Sequence, residues 1–304
     1  MSSAYEQLLA ATISHLEDLK AGGARFVQVD PGLLARLSAA PTKQAAPSSP
    51  APVPAKANML APDSAAPAPA PPRPAVAAPS AALLRELLVD PSVELTPERK
   101  EAEMARIRER ALACIKCPNL ASSRRNVVFG VGTIHTELMF IGEAPGMDED
   151  EQAEPFVGKA GQLLTKIIQT MGLDRDRVYI ANVLKCRPDT PGQRTGNRKP
   201  TVDEMNTCKP YLLAQISVIR PKVIVALGAT AVEGLLGRTM GIMKLRGNWQ
   251  DFNGVPLMPT YHPAYLLRNQ SLAEKRKVWE DMLAVMEKLG MPISEKQRGF
   301  FLVK

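Results

Sequence analysis

No apolar run in the sequence approaches the roughly 18–20 residues that span a bilayer. The chain opens MSSAYEQLL, without a basic segment leading into an apolar core, so no secretory signal is expected and the protein reads as cytoplasmic. Cysteine is scarce, with four in 304 residues. In a reducing compartment thiols this few serve as ligands or reactive groups more readily than as disulfides. Histidine is rarer still. Of the three, His15 and His135 read as surface residues, one in an N-terminal helix candidate and one in a loop.

Aromatics are absent from residues 41–82, where 27 of 42 residues are Ala or Pro. Such a stretch buries too little apolar surface to offset its ordering entropy, so residues 41–94 are expected to be a disordered, semi-extended linker. Ahead of it, residues 1–40 form a short segment with an amphipathic helix expected over residues 4–19 (Leu8, Leu9, Ile13, Leu16, Leu19). Charge divides at the same place: residues 1–94 carry net −1 and the remainder net +8. The basic character belongs to the C-terminal region and favours a polyanionic partner.

That region has the pattern of a folded domain over residues 95–290, followed by a tail, 291–304. Thr96-Pro97 opens a charged helix that ends near Cys114. Four apolar runs follow, at 138–141, 178–184, 223–227 and 255–258, each leading through turn residues into a helix-like segment. Thr201 and Glu204 make a capping box for a helix through Ile219, which Pro210 is expected to break or kink. Strands alternating with helices imply an α/β fold: three layers, α/β/α, around a central, mainly four-stranded parallel sheet.

Residues 142–162, GEAPGMDEDEQAEPFVGKAGQ, follow the first strand and form the candidate active-site loop. The stretch has neither a GxGxxG nor a P-loop lysine pattern, so it is not read as a phosphate cradle. Its acidic run, 148–154, reads in part as a solvated loop. Phe156, isolated in this polar stretch, is either a plug or a stacking platform. Asn182 lies within the second apolar run, where a polar amide is costly unless its hydrogen bonds are met by backbone or by a ligand. His262, in MPTYHPAYLLRN, directly follows the fourth strand, at the same sheet edge. The cysteines allow two readings. Cys114 and Cys117 form CxxC; with Cys186 and Cys208 they make one four-thiolate site for zinc or an iron–sulfur cluster, or else the latter two are buried hydrophobes beside a redox pair.

Together, GEAPGMDEDEQAEPFVGKAGQLL, ANVLKCRP, TYHPAYLLRN and the four cysteines resemble the family 4 uracil-DNA glycosylases, the 4Fe–4S branch of that superfamily, over residues 105–290. The resemblance implies a DNA repair hydrolase of base excision repair. It would flip uracil out of single- or double-stranded DNA, hydrolyse its N-glycosidic bond and leave an abasic site. It implies that Cys114, Cys117, Cys186 and Cys208 ligate a structural 4Fe–4S cluster. Gly142, Glu143 and Ala144 would line the uracil and hold the attacking water, Phe156 would stack on the base and Asn182 would bond its O4/N3 edge. His262 would donate to O2, and Leu266, Leu267 and Arg268 would form a loop that wedges into DNA. Glu143 is the acid expected to orient water, with Asp148 behind it. Exclusion of thymine would fall to a steric wall in residues 142–149. The enzyme is expected to be a monomer without membrane association, its N-terminal extension a candidate tether for a protein partner.

The chain departs from the family pattern in a long spacer between Cys186 and Cys208, with the basic stretch PGQRTGNRK as a candidate DNA contact. A related branch traps uracil-DNA through a histidine of this region; residues 187–207 contain none, which favours turnover over trapping. The rival readings are a trapping protein, a zinc-stabilised DNA-binding module, and a glycosylase for another deaminated base.

Overall fold

The computed structural model describes residues 81–189, 197–237 and 241–302. The helix expected over residues 4–19, the Ala/Pro-rich run to residue 80 and most of the PGQRTGNRK stretch lie outside the described residues.

Among the described residues, six strands form one sheet in the order β1-β3-β2-β4-β6-β5. They are β1 (Val131–Gly132), β2 (Leu138–Gly142), β3 (Tyr179–Asn182), β4 (Val223–Leu227), β5 (Gln250–Phe252) and β6 (Val255–Thr260). The four expected apolar runs are the central strands β3, β2, β4 and β6, paired in parallel. Short antiparallel strands close both edges. Side chains alternate between two cores, as the pleat requires. Met139, Ile141, Ile224, Ala226 and Leu257 enter one; Leu138, Phe140, Val223, Val225 and Met258 enter the other. The first core is covered by α1 (Ala81–Leu87), α2 (Pro97–Leu112), α3 (Pro118–Ser123), α6 (Val202–Ile219), α7 (Ala229–Leu236) and the short α8 (Ile242–Leu245). The second is covered by α5 (Lys159–Thr170) and α10 (Leu272–Lys288). The result is the expected three-layer α/β/α domain.

After the edge strand β1, the parallel strands start mid-sheet in β2, step out to β3, then cross back over β2 to β4. A crevice opens at the carboxyl ends of the strands where the winding reverses, and ligands bind there in open α/β sheets.

Local expectations fared unevenly. Thr96 caps α2, and Thr201 and Glu204 cap α6 reciprocally, at 3.2 Å from the Glu204 amide to Thr201 Oγ1 and 2.8 Å from the Thr201 amide to Glu204 Oε2. Pro210, however, neither breaks nor ends α6, which runs unbroken from Val202 to Ile219. Packing of its many buried residues outweighs the lost backbone bond. The expected linker end at residue 94 also gives way to structure. Within 81–94, α1 buries Leu83 and Leu87, and Val89 follows them into the first core. A short AALLREL helix is invisible to a composition window dominated by Ala and Pro. The expected tail likewise packs: α11 (Glu295–Arg298) accepts Trp279 Nε1 at Gln297 O, 2.6 Å, and Gln297 Nε2 reaches Thr170 O at 2.8 Å.

Candidate active site

The loop after β2 is held by its own acids. Residues 147–152, expected as part of a solvated acidic loop, form a short helix, α4 (Met147–Gln152). Glu149 accepts the Gly146 amide on Oε2 and the Val157 and Gly158 amides on Oε1, each at 3.0 Å, tying the two limbs of the loop together. Asp150, buried, accepts the Arg125 and Asn126 amides. Of the two acids read as solvated, Glu151 meets Arg125 at the exposed surface, while Glu154 pairs with Arg175. Asp148 lies beside Gly158 and is exposed.

Arg175 is a residue the sequence reading missed. Its guanidinium donates to Phe156 O at 3.0 Å, Pro155 O at 2.8 Å and Glu154 Oε1 at 3.0 Å. Phe156 stands at φ 56, a region that bulky residues rarely adopt and that persists only when the surroundings over-determine it. Gly161 completes the constraint: any Cβ there would overlap the Phe156 carbonyl. Arg175 lies nineteen residues farther along the chain, in a one-turn 3-10 helix, and no local pattern in the sequence marked it.

The Phe156 ring so fixed is buried, 5.6 Å from the His262 ring and tilted 32° to it. Asn182 ends β3, paired with Gly142 at the end of β2. Gly142 permits the close approach of Phe156 and Asn182, since a Cβ there would overlap both side chains. Asn182 is 2% exposed, and its Oδ1 has no hydrogen-bond partner among the described residues. An unpaired buried amide oxygen costs about 1–3 kcal/mol, so it marks a place for a missing donor.

His262 caps α9 (Pro263–Arg268), accepting the Ala264 amide on Nδ1 at 3.2 Å. With Nδ1 an acceptor, the neutral ring carries its proton on Nε2. Burial, and then the Arg268 charge, push its pKa down to about 4. The ring is therefore a neutral donor at physiological pH.

These side chains meet around one cavity of about 410 Å3, lined by Glu143, Ala144, Phe156, Asn182, His262 and Arg268, with Asn197 and Arg198 on its rim. Gly142 supports the wall from behind. The Glu143 carboxylate has no partner among the described residues. A flat, polar-edged ligand the size of a nucleobase suits this space: an aromatic face, an orphaned acceptor and a neutral donor converge on it.

The wedge reading needs correction. Residues 266–268 are the last turn of α9, not a loop, and Leu266 is 4% exposed, packed with Tyr261 and Val278. Leu267 and Arg268 are exposed.

The four cysteines gather from three places: Cys114 and Cys117 between α2 and α3, Cys186 after β3 and Cys208 within α6. Burial pushes the Cys117 thiol up to about 11, and raises those of Cys186 and Cys208; each of the three also feels Cys114. Arg124 clamps two of the segments, donating to Cys186 Sγ at 3.0 Å and to Cys114 O at 2.7 Å. The Lys185 amide points at Cys208 Sγ, 3.2 Å. Among the described residues, no three His, Cys, Asp or Glu side chains converge tightly enough to hold a single metal ion. A cluster spreads its thiolates over several irons and does not require that spacing.

Residues 129–283 match the model of the uracil DNA glycosylase superfamily. The chain is 46% identical over 185 residues to the type-4 uracil-DNA glycosylase of Thermotoga maritima, an alignment covering 60% of this chain and 93% of that protein. It is 40% identical over 209 residues to the type-4 enzyme of Sulfurisphaera tokodaii, covering 66% and 90%. To that of Archaeoglobus fulgidus it is 38% identical over 198 residues, covering 62% and 93%.

Proposed function

The chain belongs to the uracil DNA glycosylase superfamily, among its type-4 enzymes, and on that premise we propose that the cavity of Phe156, Asn182 and His262 takes a flipped uracil. The activity is that of a DNA repair glycosylase: hydrolysis of the N-glycosidic bond of uracil in DNA, releasing the base.

A base within a duplex is shielded at its sugar bond, so it is extruded at a cost of a few kcal/mol. Phe156 stacks on the extruded ring, a contact worth about 1–3 kcal/mol. Asn182 reads its edge, Oδ1 accepting N3–H and Nδ2 donating to O4. As the glycosidic bond lengthens, its electron pair moves onto the ring and O2 becomes anionic. His262 meets that charge with its Nε2 proton, in the manner of an oxyanion hole. The Glu143 carboxylate orients the water that attacks the sugar carbon and offsets the positive charge developing there. The loop wall at Ala144 and Pro145 excludes the thymine methyl. Leu267 and Arg268 face the DNA at the mouth.

The observation that carries this reading is the unpaired Asn182 Oδ1, buried beside an aromatic face held in a strained conformation. The free protein tolerates both features, and a uracil edge relieves the first.

The four cysteines fit a 4Fe–4S cluster by donor chemistry: four thiols in one neighbourhood, one already bonded by a guanidinium N–H. Bound there, such a cluster would serve structurally, tying the α2–α3 junction, the end of β3 and α6 together. Cys186 follows Asn182 by four residues, so this tie also steadies the end of β3 at the cavity.

The deciding experiment is incubation of the full chain with oligonucleotides bearing uracil in U·G, U·A and single-stranded contexts. Free uracil and an alkali-labile abasic site are expected, with no release from the thymine controls; intact strands would sink the reading. Undigested strands that remain covalently bound would instead support trapping. The same preparation is expected to be yellow-brown and to carry about four irons and four acid-labile sulfides. A colourless, zinc-containing protein would overturn the cluster.

A further inference from the structure

A second hollow lies along the same two helices that border the uracil cavity. Ala160 of α5, with Ala264 and Arg268 of α9, lines the cavity. Farther along α5, Leu163, Lys166, Ile167 and Thr170 face Leu266 and Leu267 of α9 across a groove of about 360 Å3. Ala160, Leu163 and Ile167 fall at helical spacings of three and four, so one stripe of α5 runs from the cavity into the groove. Seven residues of helix span about 10 Å.

The groove combines three properties. Its floor is apolar, with Leu163, Ile167, Val278 and Trp279. Its rim carries exposed apolar groups, Leu267 and the Phe301 ring, each 37% exposed. Phe301 stands at φ 59, and its ring lies 6.2 Å from that of Phe300, which in turn packs edge-on against Trp279 at 5.6 Å. The charged side chains that line it are Lys166 and Lys275; no carboxylate does, and neither lysine forms an ion pair among the described residues.

An apolar slot, an exposed ring and unpaired ammonium groups suit a nucleobase with its phosphates, since the base face stacks while cations take the backbone charge. A peptide fits less well: the uncharged polar side chains here are Thr170 and Gln270, too few for the backbone groups of a bound segment. We propose that this groove is a second nucleobase subsite, taking an unstacked base of the same DNA strand a short distance from the uracil. Phe301 packs on the base, and Lys166 and Lys275 neutralise its phosphates. The proposal rests on the reading of the chain as a uracil-DNA glycosylase and extends it. At the stacked rise of ~3.4 Å per nucleotide, 10 Å corresponds to about three nucleotides, and to fewer in a stretched strand.

The test measures binding of full-length protein to labelled, uracil-free single strands by fluorescence anisotropy across a salt series. Phe301→Ala is expected to weaken binding about tenfold or more while leaving the salt slope unchanged. Neutralising both lysines, K166Q with K275Q, is expected to flatten the slope of log K against log salt by about 1.4, from about 0.7 per phosphate contact. Uracil release from a long single strand at subsaturating DNA falls in step with affinity. On a trinucleotide centred on uracil, too short to reach the groove, both variants match the wild type. Unchanged affinity in Phe301→Ala, or an unchanged slope in the double lysine variant, overturns the subsite and leaves the groove to a protein partner. Failure of the wild type to release uracil from any substrate would strike the glycosylase reading instead, a separate outcome.

Discussion

His262→Ala is expected to lower kcat for uracil release by about 10²–10³-fold, with KM changed only a few-fold. The effect falls on kcat because the O2 of bound uracil is a neutral carbonyl and becomes anionic only as the glycosidic bond breaks. A donor aimed at that oxygen therefore stabilises the transition state more than the ground state. The geometry makes the ring a neutral donor. Nδ1 is occupied by the Ala264 amide, and burial with the Arg268 charge holds the pKa near 4. The pH dependence follows with a definite sign. A lowered pKa keeps the imidazole neutral from alkaline pH down to about 4. The acid limb of kcat should therefore show no break near 6.5, the ordinary histidine value. Nitrogen NMR of labelled histidine should report the Nε2–H tautomer throughout pH 5–8. A ring that titrates near 6.5, or an alanine variant with wild-type kcat, would remove His262 from the mechanism.

Asn182→Ala is expected to lower kcat/KM by about 10²-fold and to leave thermal stability unchanged or slightly raised. Two hydrogen bonds to the uracil edge, at about 0.5–1.5 kcal/mol each net, together with the larger penalty of leaving N3–H and O4 unpaired in a buried site, account for the loss. Stability behaves differently because the free protein gains nothing from Oδ1. The atom is buried without a partner, and its removal relieves a cost that offsets the small void left by the truncated side chain. Activity and stability thus move apart, the signature of a group kept for its ligand. Steady-state kinetics beside a thermal melt decides the matter. An asparagine that serves the fold would lose several degrees of Tm along with activity.

Much of the site was legible in the chain because its chemistry is carried by odd residues in otherwise regular patterns. A lone aromatic in an acidic loop, an amide inside an apolar strand and a histidine directly after another strand each violate the local expectation. The structure brings all three to one cavity. The acidic loop was harder. Charge alone could not separate Glu149, which takes three amides, from Glu151, which sits at the surface. Leu266 and Leu267 are adjacent and chemically alike, so only the rotation of α9 tells the buried one from the exposed one. Arg175 escaped because the targets that fix Phe156 are backbone carbonyls, which every residue possesses.

By itself the sequence determined the alternation of apolar runs and helices, hence the α/β class, and the basic character of the C-terminal region. It determined the residue types available for a site and, through four motifs in order, the family. These are properties of spacing and composition, which act over a few residues at a time. The tertiary structure decided the rest. The crossover from β3 back to β4 placed the ends of β3 and β2 side by side at the same sheet edge as the end of β6, with β4 between, and brought the Cys114–Cys117 pair to Cys186 and Cys208. It also recruited residues 81–94 and the C-terminal segment into the domain, and left Asn182 Oδ1 without a partner. Whether a polar atom is satisfied depends on every neighbour that folding brings near it, and most of those are remote in the chain.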